Sequence, residues 1–329
     1  MDKIGIVGGS GYIGSAVAAH LCKTYEVRVL DMKYPPEHLL RKVDFRKCNI
    51  LQEEEIKQEF IGLDLVIHAA IIQIPLIDER KEAGYEVNFR GLQNVCSAVD
   101  KTASIKGMIL TGTWHVFGEQ LNGTIDESFG FRPDKVESRA RLYVMSKIAQ
   151  EVISRYYDEM SAKIFGVIRM GTVLGKGMPE KTAANLFISK GLKGEPLTPF
   201  KHSMYRPMLY IDIRDVCEAY ARYADKILQG RVTKEKTSLA HVVNLCFPNP
   251  VTIIELANMV RDNIIELTEG RIEPRINVID TGEPVLYDAR DKEKMKVDVT
   301  KVSEFLEMKR LIDPRLSIRE LVREALGAV

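Results

Sequence analysis

Short apolar runs alternate with amphipathic stretches through the first half of the chain. The apolar runs have the length of buried strands and lie at 3–7, 27–30, 63–68, 107–110 and 163–168. The stretches between them carry apolar residues three and four positions apart, as helices do, most clearly at 13–22, 88–99 and 142–157. Parallel strands joined by helices produce this alternation. The pattern therefore predicts an α/β fold with a doubly wound parallel sheet.

The pattern changes after Arg169, where glycines and prolines break the chain into short pieces around a helical stretch at 183–192. Strand-like runs at 205–211 and 241–245 follow, with a helix between them, so we expect the chain to return to the sheet. We therefore predict two parts. A sheet domain comprises 1–170 and 205–247, and a smaller C-terminal α/β lobe that binds substrate comprises 171–204 and 248–329.

Composition and charge exclude several classes of protein. The 47 Lys and Arg nearly balance the 46 Asp and Glu, so no overall field attracts nucleic acid or an anionic membrane. Five scattered cysteines without a CxxC pair favour reduced thiols over disulfides or a metal site. Without a signal-like start or an apolar run long enough to span a bilayer, the expected location is the cytoplasm.

A glycine-rich turn directly follows the first strand, where residues 8–14 read GGSGYIG. Gly8 allows a tight turn, Gly11 lets the backbone approach a pyrophosphate at the start of the helix, and Gly14 lets the helix pack closely on the strand. The second strand ends at Asp31, where a carboxylate accepts hydrogen bonds from ribose hydroxyls and repels a 2′-phosphate. The sheet domain is therefore predicted to bind NAD as a Rossmann domain, with NADP the minor alternative because Lys33 lies close by.

Tyr143 and Lys147 share one face of a predicted helix, one turn apart, and no other tyrosine of this chain has a lysine four residues on. A nearby ammonium favours a phenolate, so we expect a lowered pKa for Tyr143 and a role as acid and base when hydride leaves or reaches a carbon. Thr113 follows the strand at 107–110, at the sheet edge where active-site groups of such folds lie, and is the candidate to hold the reacting oxygen.

These motifs, in this order, resemble the extended short-chain dehydrogenase/reductases, specifically the NAD-dependent epimerase/dehydratase family of nucleotide-sugar enzymes. Residues 64–70 read DLVIHAA, like the family's D-x-V-x-H-x-A strand, and Asn88 matches its N-x-x-G helix. Residues 116–118 read VFG, similar to the family's V-Y-G, which places Thr113 at the position of its catalytic Ser or Thr. The resemblance covers nearly the whole chain and implies a homodimer.

The resemblance also implies the binding residues. Asn185, Arg206 and Arg290 become candidates for binding a substrate diphosphate, because guanidinium groups suit phosphate. The implied substrate-binding set is completed by Thr113, Trp114 and His115. The implied cofactor-binding set is Gly8, Gly11, Tyr12, Ile13, Gly14, Asp31, Asn49, Ile50, Ala69, Ala70, Asn88, Lys147 and Arg169.

Trp114 and His115 stand where the family's sugar dehydratases place Asp and Glu, so the chain differs from that subgroup. His115 is either an alternative acid or base or a part of the pocket wall. The leading expectation is an epimerase-like cycle on a nucleotide-activated sugar, in which bound NAD transiently oxidises a hydroxyl. The alternatives are a net dehydrogenase or reductase of a smaller alcohol or ketone and, third, a dinucleotide-binding protein without catalysis.

Overall fold

The computed structural model of the protein describes residues 1–327. Within that range, seven parallel strands form the central sheet in the order β11-β7-β5-β4-β1-β2-β3, and the other six strands form three two-stranded sheets. This order confirms the predicted Rossmann fold. The strands are β1 Lys3–Val7, β2 Glu26–Asp31, β3 Asp44–Lys47, β4 Leu65–His68, β5 Gly107–Thr113, β6 Gly123–Ile125, β7 Ile164–Met170, β8 Thr172–Leu174, β9 Pro207–Met208, β10 Tyr210–Asp212, β11 Val242–Leu245, β12 Val251–Thr252 and β13 Met295–Val297.

Helices cover both faces of the sheet because the strand side chains alternate between two apolar clusters. In β5, Ile109 packs in the cluster under α1 and α9, whereas Met108 and Leu110 pack in the cluster under α3 and α6. The helices are α1 Tyr12–Leu21, α2 Glu37–Leu40, α3 Glu53–Glu59, α4 Leu76–Glu79, α5 Lys81–Tyr85, α6 Leu92–Lys101, α7 Arg141–Met160, α8 Ala183–Leu192, α9 Ile213–Leu228, α10 Ile253–Leu267, α11 Thr300–Glu304 and α12 Pro314–Gly327.

The run at 205–211 does not return to the sheet as one strand. It divides into β9, which pairs with β12, and β10, which pairs with β8, while β11 alone joins β7 in the central sheet. Pro207 has no amide hydrogen for a ladder, which restricts this segment to an edge. The sequence pattern also missed β3, a sheet-edge strand of polar, partly exposed residues.

The C-terminal part has a core of its own, in which Phe187 of α8, Val260 of α10 and Val322 of α12 pack together. This cluster also includes Tyr210 of β10, so the small sheets connect it to the central sheet. The division at residues 170, 205 and 247 stays a prediction. Among residues 1–327, no helix is both long and apolar enough to cross a membrane.

Candidate active site

The glycine turn after β1 has no room for larger residues. Gly8 has φ +78, a conformation that favours glycine, and a Cβ there would lie 2.4 Å from the amide nitrogen of Ala70. A Cβ on Gly14 would lie 2.3 Å from the carbonyl oxygen of Gly8. The turn therefore lies directly against α1 and against the Ala69–Ala70 loop that follows β4.

The start of α1 keeps its amides open. Gly11 is the N-cap, and within residues 1–327 no side chain caps this helix end. Open amides at a helix start bind phosphate, so the backbone from Gly11 through Tyr12 and Ile13 fits a pyrophosphate. Asp31 lies beside the turn, where its Oδ2 accepts a hydrogen bond from the Ser10 amide at 3.1 Å. These residues fit a dinucleotide with its ribose at Asp31.

The loop after β3 is fixed by local hydrogen bonds. The Oδ1 of Asn49 accepts from the Leu51 amide at 3.1 Å, and the carbonyl of Ile50 accepts from Asn94 at 3.0 Å. The Ile50 side chain is buried against Gly91, where a Cβ would lie 2.6 Å from its Cδ1. The loop is therefore held against the helix region that contains Asn88.

The catalytic candidates come together at the end of β5. Lys147 is buried, and its Nζ donates to the carbonyl of Thr111 at 2.8 Å. Thr113 is the last residue of β5, and its hydroxyl accepts a hydrogen bond from the His115 amide at 3.3 Å. The His115 ring in turn meets the Tyr143 ring edge to face, with 6.5 Å between centroids. The three side chains predicted to act together thus lie around the end of β5.

The pKa values at this point differ from the expectation. Burial raises the pKa of Tyr143 to about 12 against the smaller, opposite effect of the Thr113 hydroxyl, whereas a lowered value was expected. Burial also lowers the pKa of Lys147 to about 7, because its ammonium is removed from water. The spacing of the two residues correctly places them on one helix face. It gives no information on how deeply they are buried, and burial determines these two pKa values.

Asn88 lies in a π-helical turn, Glu86–Gly91, between α5 and α6. Its Oδ1 accepts from the Ile72 amide at 2.8 Å, and its Nδ2 donates to the Ile72 carbonyl at 2.9 Å and to the Ser146 hydroxyl at 3.2 Å. Asn88 therefore ties the loop after β4 to the helix that carries Lys147. Its contact with a cofactor stays a prediction.

Arg169 is 1% exposed and is held by groups of the protein. Its Nε and Nη2 donate to the two carboxylate oxygens of Glu151 at 2.9 and 2.6 Å, and its Nη1 donates to the carbonyl of Glu127 at 2.9 Å. The guanidinium also lies over the rings of Phe117 and Phe131. These contacts give Arg169 a structural role as the partner of Glu151 in a buried ion pair. The expected contact between Arg169 and the cofactor stays a prediction.

His115 borders the group formed by Thr113, Tyr143 and Lys147. Its ring stacks on Trp114 at 4.5 Å between centroids and meets Tyr143 edge to face at 6.5 Å. Burial, and next the positive charge of Arg206, lower its pKa to about 3, so the imidazole is neutral at neutral pH. A neutral imidazole donates or accepts a hydrogen bond but is not a cationic acid. The Trp114 indole donates to Thr172 at 3.3 Å, which fixes this wall of the cleft.

Arg206 is the substrate-binding candidate whose surroundings the sequence did not reveal. Its Nη2 lies 2.8 Å from a carboxylate oxygen of Glu119, and its Nη1 donates to Glu137 at 2.9 Å. The phenol of Tyr287 donates to Glu119 at 2.6 Å. These partners are distant along the chain and belong to no periodic pattern. One signal was present in the sequence: Glu119 directly follows the VFG motif.

The remaining diphosphate candidates lie apart from these contacts. Asn185 of α8 donates through Nδ2 to the carbonyl of Met178 at 3.3 Å. Its backbone amide donates to the hydroxyl of Thr182, the N-cap of this helix. Arg290 is exposed, and its amide donates to Asp288 at 2.8 Å. Neither contact assigns a ligand, so both roles stay predictions.

A Rossmann sheet with a glycine turn after β1 and a Tyr-x-x-x-Lys pair beside β5 defines the extended short-chain dehydrogenase/reductases. The chain belongs to the NAD dependent epimerase/dehydratase family, whose sequence profile matches residues 4–236. The resemblance deduced from the motifs is thereby confirmed.

Curated relatives match part of the chain. The uncharacterized protein y4nG of Sinorhizobium fredii is 31% identical over 176 residues, which cover 52% of this chain and 41% of that protein. The D-erythronate dehydrogenase of Haemophilus influenzae is 26% identical over 207 residues, which cover 59% of this chain and 62% of that enzyme. Both matches span less than two thirds of the relative's own length.

Solved structures match the whole chain in fold. MoeE5 in complex with UDP-glucuronic acid and NAD superposes with a TM-score of 0.76 at 18% identity, covering 100% of both chains. The UDP-glucose 4-epimerase of Thermus thermophilus in complex with NAD gives a TM-score of 0.74 at 20% identity, covering 99% of this chain and 100% of that one. At these identities the likeness shows the fold.

Proposed function

We propose that the protein is an NAD-dependent enzyme that removes hydride from a carbon bearing a hydroxyl group or, in reverse, adds hydride to the corresponding carbonyl carbon. The observation that carries this proposal is the grouping of Tyr143, Thr113 and the buried Lys147 around the end of β5, on the side of the parallel sheet where the glycine turn follows β1. NAD, when bound, supplies the hydride acceptor. Thr113 holds the reacting oxygen, and Tyr143 takes its proton or returns it.

The residues that would hold NAD follow from their positions. The turn amides would bind the pyrophosphate and Asp31 the ribose, while the loops after β3 and β4 would border the rest of the dinucleotide. Lys147 would hold the nicotinamide half beside Tyr143. NAD is preferred over NADP because a 2′-phosphate would lie against the Asp31 carboxylate.

Two reactions use this machinery. The first is the epimerase-like cycle on a nucleotide-activated sugar, supported by the fold shared with enzymes solved with UDP sugars. The second is net oxidation of a smaller alcohol, supported by the carboxylates that already bind Arg206 and by the relative named D-erythronate dehydrogenase. NADH accumulates only in the second reaction, so its absorbance with substrate distinguishes the two.

The first experiment is to denature the purified protein and identify the released small molecules by mass spectrometry. Bound NAD supports the proposal, and a nucleotide sugar beside it supports the first reaction. A protein that neither retains NAD nor binds added NAD contradicts the proposed function.

Tyr143→Phe tests catalysis directly. Loss of the phenolic proton is expected to lower the rate of hydride transfer by about 10² to 10⁴-fold while NAD binding persists. Tyr85→Phe removes the same hydroxyl from an exposed position at the end of α5 and serves as the matched control. Unchanged activity in Tyr143→Phe would leave only a dinucleotide-binding protein.

The family resemblance also supports a homodimer, and α7 offers a surface for it. Leu142, Met145, Val152 and Tyr156 are exposed by 38%, 49%, 50% and 67%, and they are spaced three, seven and four residues apart on one side of the helix. Val152→Glu is expected to shift the protein from dimer to monomer in light scattering. A wild-type monomer would contradict this part of the proposal.

A further inference from the structure

Arg206 is enclosed by carboxylates where the family resemblance places a substrate diphosphate. The residue is 9% exposed, and both terminal nitrogens of its guanidinium contact a glutamate, at 2.8 Å for Glu119 and 2.9 Å for Glu137. The side chains of these glutamates are 13% and 29% exposed, so the group is largely out of water. The Glu137 contact is a charge-assisted hydrogen bond, whereas Glu119 Oε1 lies at ion-pair distance from Arg206 without a hydrogen-bond partner among the described residues.

Other residues hold the two carboxylates in place. The Tyr287 phenol donates to the second oxygen of Glu119 at 2.6 Å, and the Arg132 guanidinium donates to the Glu119 carbonyl. Arg139 pairs with Glu137 at 2.7 Å from an exposed position at the rim. The cavity between Trp114, Glu119, Arg206 and Tyr287 has a volume of about 10 Å³, room for about one water molecule.

This cluster, formed by Arg206, Glu119, Glu137 and Tyr287, borders the catalytic centre. Trp114 connects the two, because it lines the cavity beside Arg206 and stacks on His115, whose ring meets Tyr143 at 6.5 Å. Glu137 also precedes the catalytic helix by four residues. A substrate carbon beside Tyr143 would therefore have this cluster as a neighbour.

Resting on the proposed hydride-transfer function, we propose that the substrate is a compact, phosphate-free hydroxy compound whose hydroxyl groups are bound by Glu119 and Glu137. A diphosphate would bring its negative charge against two carboxylates and would have to displace both from Arg206. Hydroxyl groups instead donate to carboxylate oxygens and leave the arginine pairs intact. The cluster thus selects against nucleoside diphosphates at the position where they are expected.

The test measures UDP binding to the NAD-loaded protein by isothermal titration calorimetry. Wild type is expected to bind UDP with a Kd weaker than about 1 mM. Removing both opposing charges in the Glu119→Gln, Glu137→Gln double variant is expected to tighten UDP binding at least about tenfold by freeing Arg206. The Glu53→Gln, Glu54→Gln double variant makes the same charge change at exposed positions of α3 and is expected to leave UDP binding as in wild type.

Wild-type binding of UDP tighter than about 1 mM, or a double variant that binds UDP no better than wild type, would overturn the proposal. Turnover of UDP-glucose by the wild-type enzyme would overturn it as well. NAD binding shows that each variant is folded. If the double variant fails to bind NAD, the UDP affinity of Glu137→Gln alone is compared with that of wild type instead. Absence of NAD binding in wild type is a separate outcome, because it contradicts the proposed function instead.

Discussion

The sequence resemblance predicts phosphate groups at both the glycine turn and the Arg206 cluster, yet the hydrogen-bond donors of the two regions differ: those of the turn are open and those of Arg206 are paired. At the turn, the amides beside Gly11 have no capping side chain within the described residues. At the cluster, Glu119 and Glu137 already bind the guanidinium of Arg206. An anion binds where donors are open and the local charge is positive. A motif therefore predicts a phosphate site only when its donors are free.

The largest expected effect concerns the glycine turn, whose amides are open. In Gly14→Ala the new Cβ would lie 2.3 Å from the Gly8 carbonyl, so the turn must move away from its phosphate-binding shape. NAD affinity is expected to fall about a hundredfold, roughly 3 kcal/mol. Calorimetry with NAD measures it, and Gly130→Ala, where a Cβ meets no atom of the described residues within 4 Å, is the control. Unchanged affinity would show that the turn does not hold the dinucleotide.

Arg206→Met tests the Arg206 cluster, where the guanidinium is already paired. It leaves two partly buried carboxylates without their shared cation, so the free energy of unfolding is expected to fall by about 2 kcal/mol, the lower end of the range because Tyr287 and Arg139 remain. Urea unfolding measures it against Arg290→Met, an exposed arginine expected to change little. Equal stability of the two variants would mean that Arg206 is a free binding group.

A smaller change sharpens the open side. Asp31→Ala removes the carboxylate expected to bind the ribose and to repel a 2′-phosphate, so NAD affinity is expected to fall about tenfold while NADP affinity rises. Titration with both cofactors gives the ratio. Ser10→Ala removes only the hydroxyl that donates to the Lys33 carbonyl and keeps the amide that bonds Asp31, so its NAD affinity is expected to match wild type.

The smallest effect concerns pH. Burial of Glu137 opposes its ionisation, but the hydrogen bond from Arg139 and the charge of Arg206 outweigh burial and hold its pKa below 4.5. The pairing therefore stabilises the fold above about pH 4.5 and is lost as the pH falls through the lowered pKa. Glu137→Gln is expected to flatten this acid dependence by under about 1 kcal/mol, with Glu54→Gln as control. An unaltered pH profile would mean that Glu137 contributes no linked stability.

Local patterns were sufficient for the fold and for part of the site. The apolar runs located six of the seven central strands, because strands buried on both faces are apolar throughout. The spacing of Tyr143 and Lys147 placed both on one helix face, because one helical turn separates them. β3 escaped because it is a polar strand at the sheet edge.

The rest of the site depends on contacts between distant residues. Glu119 and Tyr287 are separated by 168 positions, and Arg206 and Glu137 by 69. No helical or strand period relates such residues, so the pairing of Arg206 could not be deduced from the sequence. The raised pKa of Tyr143 was missed for a similar reason, since it reflects burial by the assembled fold.

The π-helical turn at Asn88 has a consequence for insertions and deletions. A π-turn holds one residue more than an α-turn, so deleting one residue from 86–91 would restore a regular helix. The core face of α6, with Leu92, Val95 and Val99, would keep its position while the preceding turn rotates by about 100°. Asn88 would then leave Ile72 and Ser146, so deleting one residue from this turn would separate the loop after β4 from α7 while the core face of α6 stays in place.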